Sequence, residues 1–265
     1  MSQQKLSRLP LASSKLTLIV AAALSAAWVP SAFAQDSQPK DSSGQWALGF
    51  GAVVLDKPYR DFDREVLPLP LISYESKWIS ATLPTFDVKL YSTETLSFRL
   101  RTRWSGDGYE AKDSPILSSM DERKSSLWAG SAVTWKTGFA NLSGEVLADA
   151  MGNSKGTRAK LQIDRRFAAG KFGFTPRLAA EWVDDKYVDY YYGVRQSEAQ
   201  VGRAFYEGKA TTNVQAGLRM DYSPSRHHSM FVDVGATRFG SSVEDSPLVD
   251  KTTGTTLALG YAYRF

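Results

Sequence analysis

Hydrophobic and polar residues alternate along most of the chain, and residues 257–265 show the pattern most clearly. Their odd positions carry leucine, tyrosine or phenylalanine, whereas their even positions carry alanine, glycine or one arginine. Successive side chains of a strand point to opposite faces, so this segment presents one apolar face that ends in Tyr261, Tyr263 and Phe265. Closing strands of outer-membrane β-barrels are apolar towards lipid and aromatic at the interface. The alternative is the last strand of a soluble β-sandwich.

The same alternation predicts ten strands along the chain, of which the last contains the segment just described. They lie at residues 45–55, 67–75, 95–104, 127–135, 139–150, 157–168, 172–183, 210–222, 230–239 and 253–265. Two short strands at 77–82 and 85–91, joined near Leu83 and Pro84, place the short turns on one side and the long loops on the other. A barrel with both termini on one side needs an even number of strands. The sequence therefore predicts an all-β, transmembrane, antiparallel up-and-down barrel over residues 44–265, with twelve strands, or ten as the alternative.

The first 34 residues have the three parts of a secretory signal. Lys5, Arg8 and Lys15 precede an apolar stretch at 16–29, and Ala-Phe-Ala at 32–34 fits the cleavage pattern. We expect cleavage near Ala34 and Gln35, export from the cytoplasm, and a flexible periplasmic lead-in at 35–43.

Composition narrows the choice of protein class. The chain has no cysteine, so an exported domain of this sequence has no disulfide to stabilise it, which suits a barrel closed by its own hydrogen bonds. Three of the 32 basic residues and none of the 28 acidic residues lie in residues 1–34. The 29 basic residues after position 34 are therefore nearly balanced by the 28 acidic residues. No excess of positive charge remains that would indicate binding of nucleic acid.

Charged residues in the predicted strands share the parity of the polar face. Arg99, Arg101 and Arg103 alternate with apolar residues, and a charge on the lipid face costs about 2–4 kcal/mol at mid-membrane, so we assign them to the lumen. The complete set of lumen-facing candidates is Arg99, Arg101, Arg103, Glu145, Arg158, Lys160, Arg177 and Glu181. One hypothesis is an anion-attracting constriction. The other is a plug of ion pairs with acids that include Glu145, Asp149, Asp164 and Glu181.

Residues for catalysis are scarce. The only histidines, His227 and His228, are adjacent in a predicted periplasmic turn, far from where a hydrolase would need a general base. No nucleophile elbow, zinc-protease motif or phosphate-binding loop occurs. The sequence predicts no enzyme activity, no cofactor and no metal site.

A cluster of tyrosines marks the longest predicted loop, at residues 184–209. Tyr187, Tyr190, Tyr191 and Tyr192 lie within six residues. Tyrosine suits both an interface and a recognition surface. The two hypotheses are a loop folded inward as a lid and an outward contact patch.

Several short motifs together resemble the MipA/OmpV family of outer-membrane proteins. They are a first strand that begins at Trp46 and contains LGFG, Tyr59 in the first loop, PLPLISYE at 68–75, YYGV at 191–194, SPLV at 246–249 and GYAYRF at 260–265. Each motif is weak alone, but their order and spacing are specific, and they cover the chain after the signal.

This resemblance implies a location in the outer membrane of a Gram-negative cell. It also implies a scaffold for a lytic transglycosylase and a penicillin-binding protein in cell-wall synthesis. The alternative is a small porin-like channel or a solute-responsive or stress-responsive protein, with an adhesin or a membrane enzyme less favoured. Similarity to other outer-membrane barrels implies that Tyr261, Tyr263 and Phe265 form a signal for the assembly machinery.

Deletion of Phe265 tests the last expectation. We predict that the truncated protein reaches the outer membrane at a small fraction of the normal level, because the assembly machinery reads the aromatic end of the closing strand. Quantitative immunoblotting of membrane fractions measures this. Normal levels of the truncated protein would contradict the assignment.

Overall fold

The computed structural model describes residues 44–265, and the predicted signal peptide (1–34) and lead-in (35–43) lie outside the described residues. The described chain is almost entirely β-structure. Its strands are β1 (Gln45–Asp56), β2 (Glu65–Glu75), β3 (Ile79–Thr82), β4 (Thr85–Ser92), β5 (Leu96–Ser105), β6 (Ser126–Lys136), β7 (Asn141–Asp149), β8 (Thr157–Asp164), β9 (Phe167–Ala169), β10 (Phe172–Val183), β11 (Thr211–Tyr222), β12 (His228–Arg238) and β13 (Thr253–Arg264). Two helices lie in loops, α1 (Asp185–Tyr192) and α2 (Ser241–Glu244), with 3-10 turns at Pro115–Leu117 and Gln196–Glu198.

Twelve of these strands form a closed antiparallel ring. Each pairs with its neighbours in chain order, β8 pairs with β10, and β13 pairs with β1 from Ala47–Arg264 to Asp56–Thr255. The prediction of a twelve-stranded barrel is confirmed. Closure satisfies the hydrogen bonds of strands that would otherwise be edges, which is the condition for a sheet in lipid.

The predicted strand at 157–168 is divided in two. β8 ends at Asp164 and β9 begins at Phe167, and both pair with β10. Pro176 of β10 lies opposite the break. It accepts a hydrogen bond from the Arg165 amide over 3.3 Å, but it has no N–H to donate in return. The ladder is therefore interrupted at this proline, and β9 continues the line of β8 around the ring.

The wall is shortest at the β3–β4 hairpin, whose strands have only four and eight residues. β2 pairs with β1 along its whole length, from Glu65 to Glu75, but pairs with β3 only at Ser73, Tyr74 and Glu75. The sequence predicts weak pairing here, because Pro68 and Pro70 cannot donate to a ladder. The structure shows that the unpaired part is the edge of β2 that faces away from β1.

The two ends of the barrel differ. At one end the strands are joined by short turns at 76–78, 93–95, 137–140, 170–171 and 223–227, and β1 begins and β13 ends there. At the other end lie the loops 57–64, 106–125, 150–156, 184–210 and 239–252. We call these the short-turn end and the long-loop end.

The outer face of the barrel is apolar. Its exposed side chains include Phe50, Leu100, Val133, Val146, Leu161, Leu178, Val214, Val232, Leu257 and Leu259. Charged and polar side chains of the same strands lie on the inner face, as the alternation predicts. Among the described residues no helix is long and apolar enough to cross a membrane.

Two arginine substitutions on β5 test the depth of the outer face. We predict that Leu100→Arg lowers the free energy of unfolding by about 2–4 kcal/mol, because the side chain would enter lipid near the middle of the strand. Leu96→Arg, on the same face but at the short-turn end of β5, should cost only about 0–1 kcal/mol. Denaturant titration of the barrel in lipid vesicles measures both. Equal costs would show that this face is not buried in lipid.

Candidate functional site

Ion pairs cover much of the inner wall, and the first group centres on Glu145 of β7. Arg103 of β5 donates from both terminal nitrogens to the two carboxylate oxygens of Glu145, at 2.8 Å each. Arg101 donates to Glu145 Oε2 over 2.6 Å, and to both oxygens of Asp87 on β4 over 2.8 and 2.7 Å. All four side chains are buried. Two arginines and two carboxylates thus neutralise each other.

Small residues on β6 make these contacts possible. Arg101 and Glu145 lie on strands that are separated by β6, which contributes Gly130 and Ala132 to the inner face between them. A long guanidinium side chain can therefore lie over β6 and reach the second strand. Larger residues at 130 and 132 would block that path.

A second group joins β8, β10 and β11. Arg158 donates to Glu181 Oε1 from Nε over 2.8 Å and from Nη2 over 2.5 Å. The other oxygen of Glu181 accepts from Gln215 Nε2 over 2.9 Å, and Gln215 in turn accepts from Lys160 Nζ. Arg158 also contacts Asp107 of a long loop over 3.3 Å, which ties the loop to the wall.

A third ion pair also forms across an intervening strand, as the pair of Arg101 and Glu145 does. Arg177 of β10 reaches over β11 to Asp233 of β12, with contacts of 2.9 and 2.6 Å. Between them lies Gly217, where a Cβ would come within 2.5 Å of the Arg177 guanidinium carbon. The glycine leaves the space through which this pair forms.

The eight lumen-facing candidates are therefore placed as follows. Arg101, Arg103, Glu145, Arg158, Lys160 and Glu181 are buried on the inner wall, and Arg99 and Arg177 are half-buried. Asp149 and Asp164, the other acids of the plug hypothesis, accept hydrogen bonds mainly from neutral groups. Asp149 binds the 150–155 loop, and Asp164 binds Asn141 and Gln162.

Sequence reasoning missed three acids that complete these pairs, Asp87, Asp107 and Asp233. Asp87 lies between Phe86 and Val88, and Asp233 lies between Val232 and Val234. The same parity rule would have placed both on the inner face. Asp107 lies in a loop and has no such signal.

The inner wall of β1, β2, β12 and β13 differs, because it carries an apolar patch. Its buried members are Val53, Leu55, Leu69, Leu71, Phe231, Ala258 and Ala262, with Leu67 packed beside them. The inner wall therefore has one charged side and one apolar side.

The tyrosine cluster lies on helix α1, and hydrogen bonds fix both ends of this helix. Asp184 caps its start by accepting from the Tyr187 amide over 2.9 Å, and its other oxygen accepts from the Thr157 amide of β8. At the end of the helix, the Gly193 amide donates to the Asp189 carbonyl, and a Cβ at this glycine would lie 2.2 Å from that oxygen.

Helix α1 turns its tyrosines towards the barrel. Tyr187, Tyr191 and Tyr192 are buried and Tyr190 is half-buried. They pack with other loops and the top of the wall in a cluster that we call the loop cap. Its buried members are Tyr59, Phe62, Tyr109, Leu117, Met120, Trp128, Leu147, Val183, Tyr187, Val188, Tyr191, Tyr192, Val194, Val243, Leu248 and Val249.

Aromatic contacts and hydrogen bonds connect the loops of the cap. Tyr59 stacks on Tyr192 with centroids 5.5 Å apart and donates to the Tyr191 carbonyl over 3.2 Å. Tyr187 packs on Trp128 at 5.7 Å, which joins the helix to β6. Ser246 donates to the Tyr192 carbonyl over 2.6 Å. Four separate segments of the chain thus hold one another.

A buried ion pair joins two loops of the cap, 106–125 and 184–210. Arg123 Nη2 lies 2.7 Å from Glu198 Oε2, and Arg123 Nε donates to the Tyr190 carbonyl. Burial alone would raise the pKa of Glu198, but the hydrogen bond from Arg123 and those from the amides of Arg195 and Asp121 together outweigh it and hold that pKa below the usual value. Arg203 is also buried and donates to the carbonyls of Ile116, Ser118 and Glu198.

A cavity of about 80 Å³ lies between the cap and the wall. Tyr187 and Tyr192 line it from above, and Arg158, Glu181 and Gln215 are among the residues that line it from the wall. Within residues 44–265 no group of three or more histidine, aspartate or glutamate side chains is placed to hold a metal ion.

The aromatic residues of the closing strand lie at the short-turn end. Tyr263 and Phe265 are exposed on the outer face with ring centroids 5.2 Å apart. Tyr261 is half-buried, and its hydroxyl lies 2.7 Å from His228 Nδ1. His227 and His228 are exposed and pack on Tyr263.

Removal of the Glu145 charge tests the first ion-pair group. We predict that Glu145→Gln lowers the free energy of unfolding by about 3–5 kcal/mol, because Arg103 would keep a buried charge without its carboxylate. Denaturant titration measures the loss, with Glu94→Gln in an exposed turn as the control. A change below about 1 kcal/mol would show that water already screens the pair.

Alkaline pH tests the loop cap. Burial raises the pKa of Tyr59, Tyr187, Tyr191 and Tyr192 above the ordinary value. The folded cap therefore holds these phenolic protons more tightly than the open one. Its stability is complete below the ordinary tyrosine pKa of about 10 and falls as the pH rises above it.

We expect proteolysis of the 184–210 loop to stay constant up to about pH 9 and to accelerate above about pH 10. The Tyr187→Phe/Tyr192→Phe variant, which lacks two of the titrating hydroxyls, should move the onset to higher pH. An onset near neutral pH would contradict the burial of these phenols.

Comparison with known proteins identifies the family. The family model for MltA-interacting protein MipA matches residues 48–265. MltA-interacting protein of Escherichia coli (strain K12) is 29% identical over 229 residues, covering 84% of this chain and 92% of that protein. Outer membrane protein OmpV of Vibrio cholerae is 22% identical over 255 residues, covering 95% and 99% respectively.

Among solved structures, an outer-membrane channel of Pseudomonas putida F1 matches with a TM-score of 0.43 and 14% identity. The match covers 87% of this chain and all of that one. The family match spans almost the whole barrel, and the relatives are outer-membrane proteins. The chain is therefore an outer-membrane β-barrel of the MltA-interacting protein MipA family.

Proposed function

We propose that this protein is a non-enzymatic outer-membrane anchor that binds a partner of the cell-wall synthesis machinery at its periplasmic end. The partners that we infer are a lytic transglycosylase and, through it, a penicillin-binding protein. The observation that carries this proposal is the pairing of the charged groups on the inner wall.

Paired charges argue against a selective pore. A channel that attracts anions needs positive side chains whose field reaches the permeating ion. Here Arg101, Arg103 and Arg158 each bind a carboxylate within 2.9 Å, so their fields are largely cancelled at the wall. The loop cap adds a packed aromatic layer at the long-loop end. A function at the barrel surface fits this interior better than conduction does.

The short-turn end offers a surface of suitable charge. In barrels of this class the short turns face the periplasm. Exposed cationic side chains occupy these turns and the adjoining strand ends: Lys77, Lys136, Arg165, Lys171 and Arg226. Glu94 is the only acidic side chain in the described short turns. This cationic rim favours an acidic partner face.

Exposed aromatic residues lie within the rim. Arg165 stacks on the rings of Phe139 and Phe167, with 4.6 and 5.0 Å between guanidinium carbon and ring centroid. Phe139 is 70% exposed, although it is large and apolar. Aromatic and arginine side chains are the residues enriched at the centres of protein interfaces.

The relative named MltA-interacting protein supports the choice of partner, because the sequence match with this chain covers 92% of its length. The proposal that there is no enzyme activity rests on the placement of the histidines. Both lie exposed at the short-turn end, His227 against the Arg264 carbonyl and His228 against Tyr261.

A second candidate function is slow passage or sensing of a small polar solute. The cavity of about 80 Å³ under the loop cap favours it, since hydroxyl, amide and charged side chains line that space. This function would need the cap to move, because the tyrosines that line the cavity are buried beneath the loops.

Charge reversal on the rim tests the first proposal. We predict that Lys136→Glu/Lys171→Glu reduces capture of a purified lytic transglycosylase at least tenfold in a pull-down with the barrel in detergent. Like charges would then face the acidic surface of the partner.

The matched control is Lys112→Glu/Lys186→Glu, the same double charge reversal at exposed positions of the opposite end. It should leave capture unchanged. Equal loss in both variants would indicate nonspecific charge effects, and no loss in either would contradict a partner site on the rim.

A further inference from the structure

The edge of β2 presents an exception to the closed hydrogen bonding of the wall. Ile72 accepts from the Leu83 amide over 3.1 Å, so the backbone groups of residue 72 face the β3 side. Backbone direction alternates along a strand, so those of Val66, Pro68 and Pro70 face the same side. Within the described residues, no strand pairs with β2 on that side beyond Ile72.

The two prolines suit an edge without a partner. Proline has no N–H, so positions 68 and 70 have no donor to leave unsatisfied. What remains along this edge is the Val66 amide and the carbonyl groups of Val66, Pro68 and Pro70. The edge is therefore a row of hydrogen-bond acceptors with one donor. Such an edge resists pairing with another strand, which argues against a second copy as its partner.

Two sets of contacts bound this edge, one towards the short-turn end (below) and one towards the long-loop end (above). Below, the turn of the β3–β4 hairpin closes the wall, with Pro84 accepting from the Trp104 amide over 3.1 Å. Above, Lys57 Nζ contacts both the Gly108 carbonyl, at 3.2 Å, and Glu65, at 3.4 Å. Because the β3–β4 hairpin turns at residues 83–84, no described strand lies between this part of β2 and the end of β5, which leaves a gap in the ladder of the wall. We call it the lateral window.

Both faces of β2 are apolar at the window. Val66, Pro68, Pro70 and Ile72 are exposed on the outer face, whereas Leu67, Leu69 and Leu71 join the apolar patch inside. An unpaired backbone edge is tolerated at membrane depth only where water or protein reaches it. Here the acceptors lie between lipid and the barrel interior, at the half of β2 nearer the long loops.

We propose that the lateral window admits an amphiphile from the outer leaflet, with its head group donating hydrogen bonds to the carbonyls of residues 66, 68 and 70. The ligand class is a molecule with a hydroxyl or amine head and an apolar tail, since the edge offers acceptors and its surroundings are apolar. The tail lies along the apolar faces of β2. This role does not depend on the periplasmic partner.

Site-specific labelling tests the window, because the chain has no cysteine of its own. Leu67→Cys places a thiol on the inner face beside the window, at a half-buried position. The matched control is Ser143→Cys, which is half-buried on the inner face of β7, a strand that is paired on both sides. Val66→Cys, on the outer face, reports direct contact with lipid.

Each variant is reconstituted in vesicles and labelled with pyrene maleimide dissolved in the lipid, and separately with a charged maleimide in the water. We expect the ratio of lipid-phase to aqueous labelling for Leu67→Cys to lie within about threefold of that for Val66→Cys. The ratio for Ser143→Cys should be at least tenfold lower. Equal ratios for Leu67→Cys and Ser143→Cys would overturn the proposal.

Folding of each variant is checked by its altered migration in SDS gels before and after boiling. If Leu67→Cys does not fold, Leu69→Cys, two residues along the same face, takes its place. Absence of lipid-phase labelling in the folded variant would likewise overturn the proposal, because the window would then be closed to lipid.

Competition identifies the head group. 1-Decanol should slow lipid-phase labelling of Leu67→Cys at least threefold, whereas decane at the same membrane concentration should not, because only the alcohol donates a hydrogen bond. The same alcohol should leave labelling of Val66→Cys unchanged. Equal effects of alcohol and alkane on Leu67→Cys would overturn the assignment of the carbonyls as the head-group site.

Discussion

A sheet in lipid must satisfy its own backbone hydrogen bonds, and the rest of this structure depends on that requirement. The pairing of β13 with β1 closes twelve strands into a ring and leaves few edges. Closure in turn fixes which side chains face lipid and which face inward, because the side chains of each strand alternate. Within the described residues a long edge remains on β2, and prolines occupy two of its three positions, 66, 68 and 70, where an amide would otherwise be unsatisfied.

The inner wall meets a second requirement, which is that a buried charge needs a partner. Arg158 satisfies it with Glu181 on the adjacent strand, whereas the longer pairs, Arg101 with Glu145 and Arg177 with Asp233, form across an intervening strand. They can do so only where that strand is small, at Gly130 and Ala132 under one pair and at Gly217 under another. Pairing neutralises the charged side of the inner wall. The apolar patch and the cationic rim then remain as the surfaces whose apolar or charged groups have no such partners.

Alternation predicted the barrel, because side chains that alternate in polarity reflect the two faces of its wall. The number of twelve strands needed a second rule as well, which is that a barrel with both termini on one side has an even number of strands. The same alternation indicated the inner face for Arg101, Arg103 and Glu145. It could not predict that Arg101 binds Asp87 and Glu145, because those contacts depend on register and on which neighbouring residues are small. The two hypotheses for the tyrosine loop also stayed open, since the inward turn of α1 depends on contacts with Trp128 and Tyr59 and on the hydrogen bond that Asp184 accepts from the Thr157 amide. Pro68 and Pro70 signalled a weakly paired strand, but only the register of β3 located the unpaired edge.

We conclude that the charged side of the barrel interior is neutralised and that the loop cap packs over the long-loop end, so that the protein does not conduct ions and its function lies elsewhere. Conductance of the purified protein in planar lipid bilayers tests it most directly. The account predicts no stable conductance steps at physiological salt, and no change on replacing Arg101 with glutamine. Stable anion-selective steps that diminish in the Arg101→Gln variant would contradict it, and would show that the inner arginines act on permeating ions rather than on their carboxylate partners.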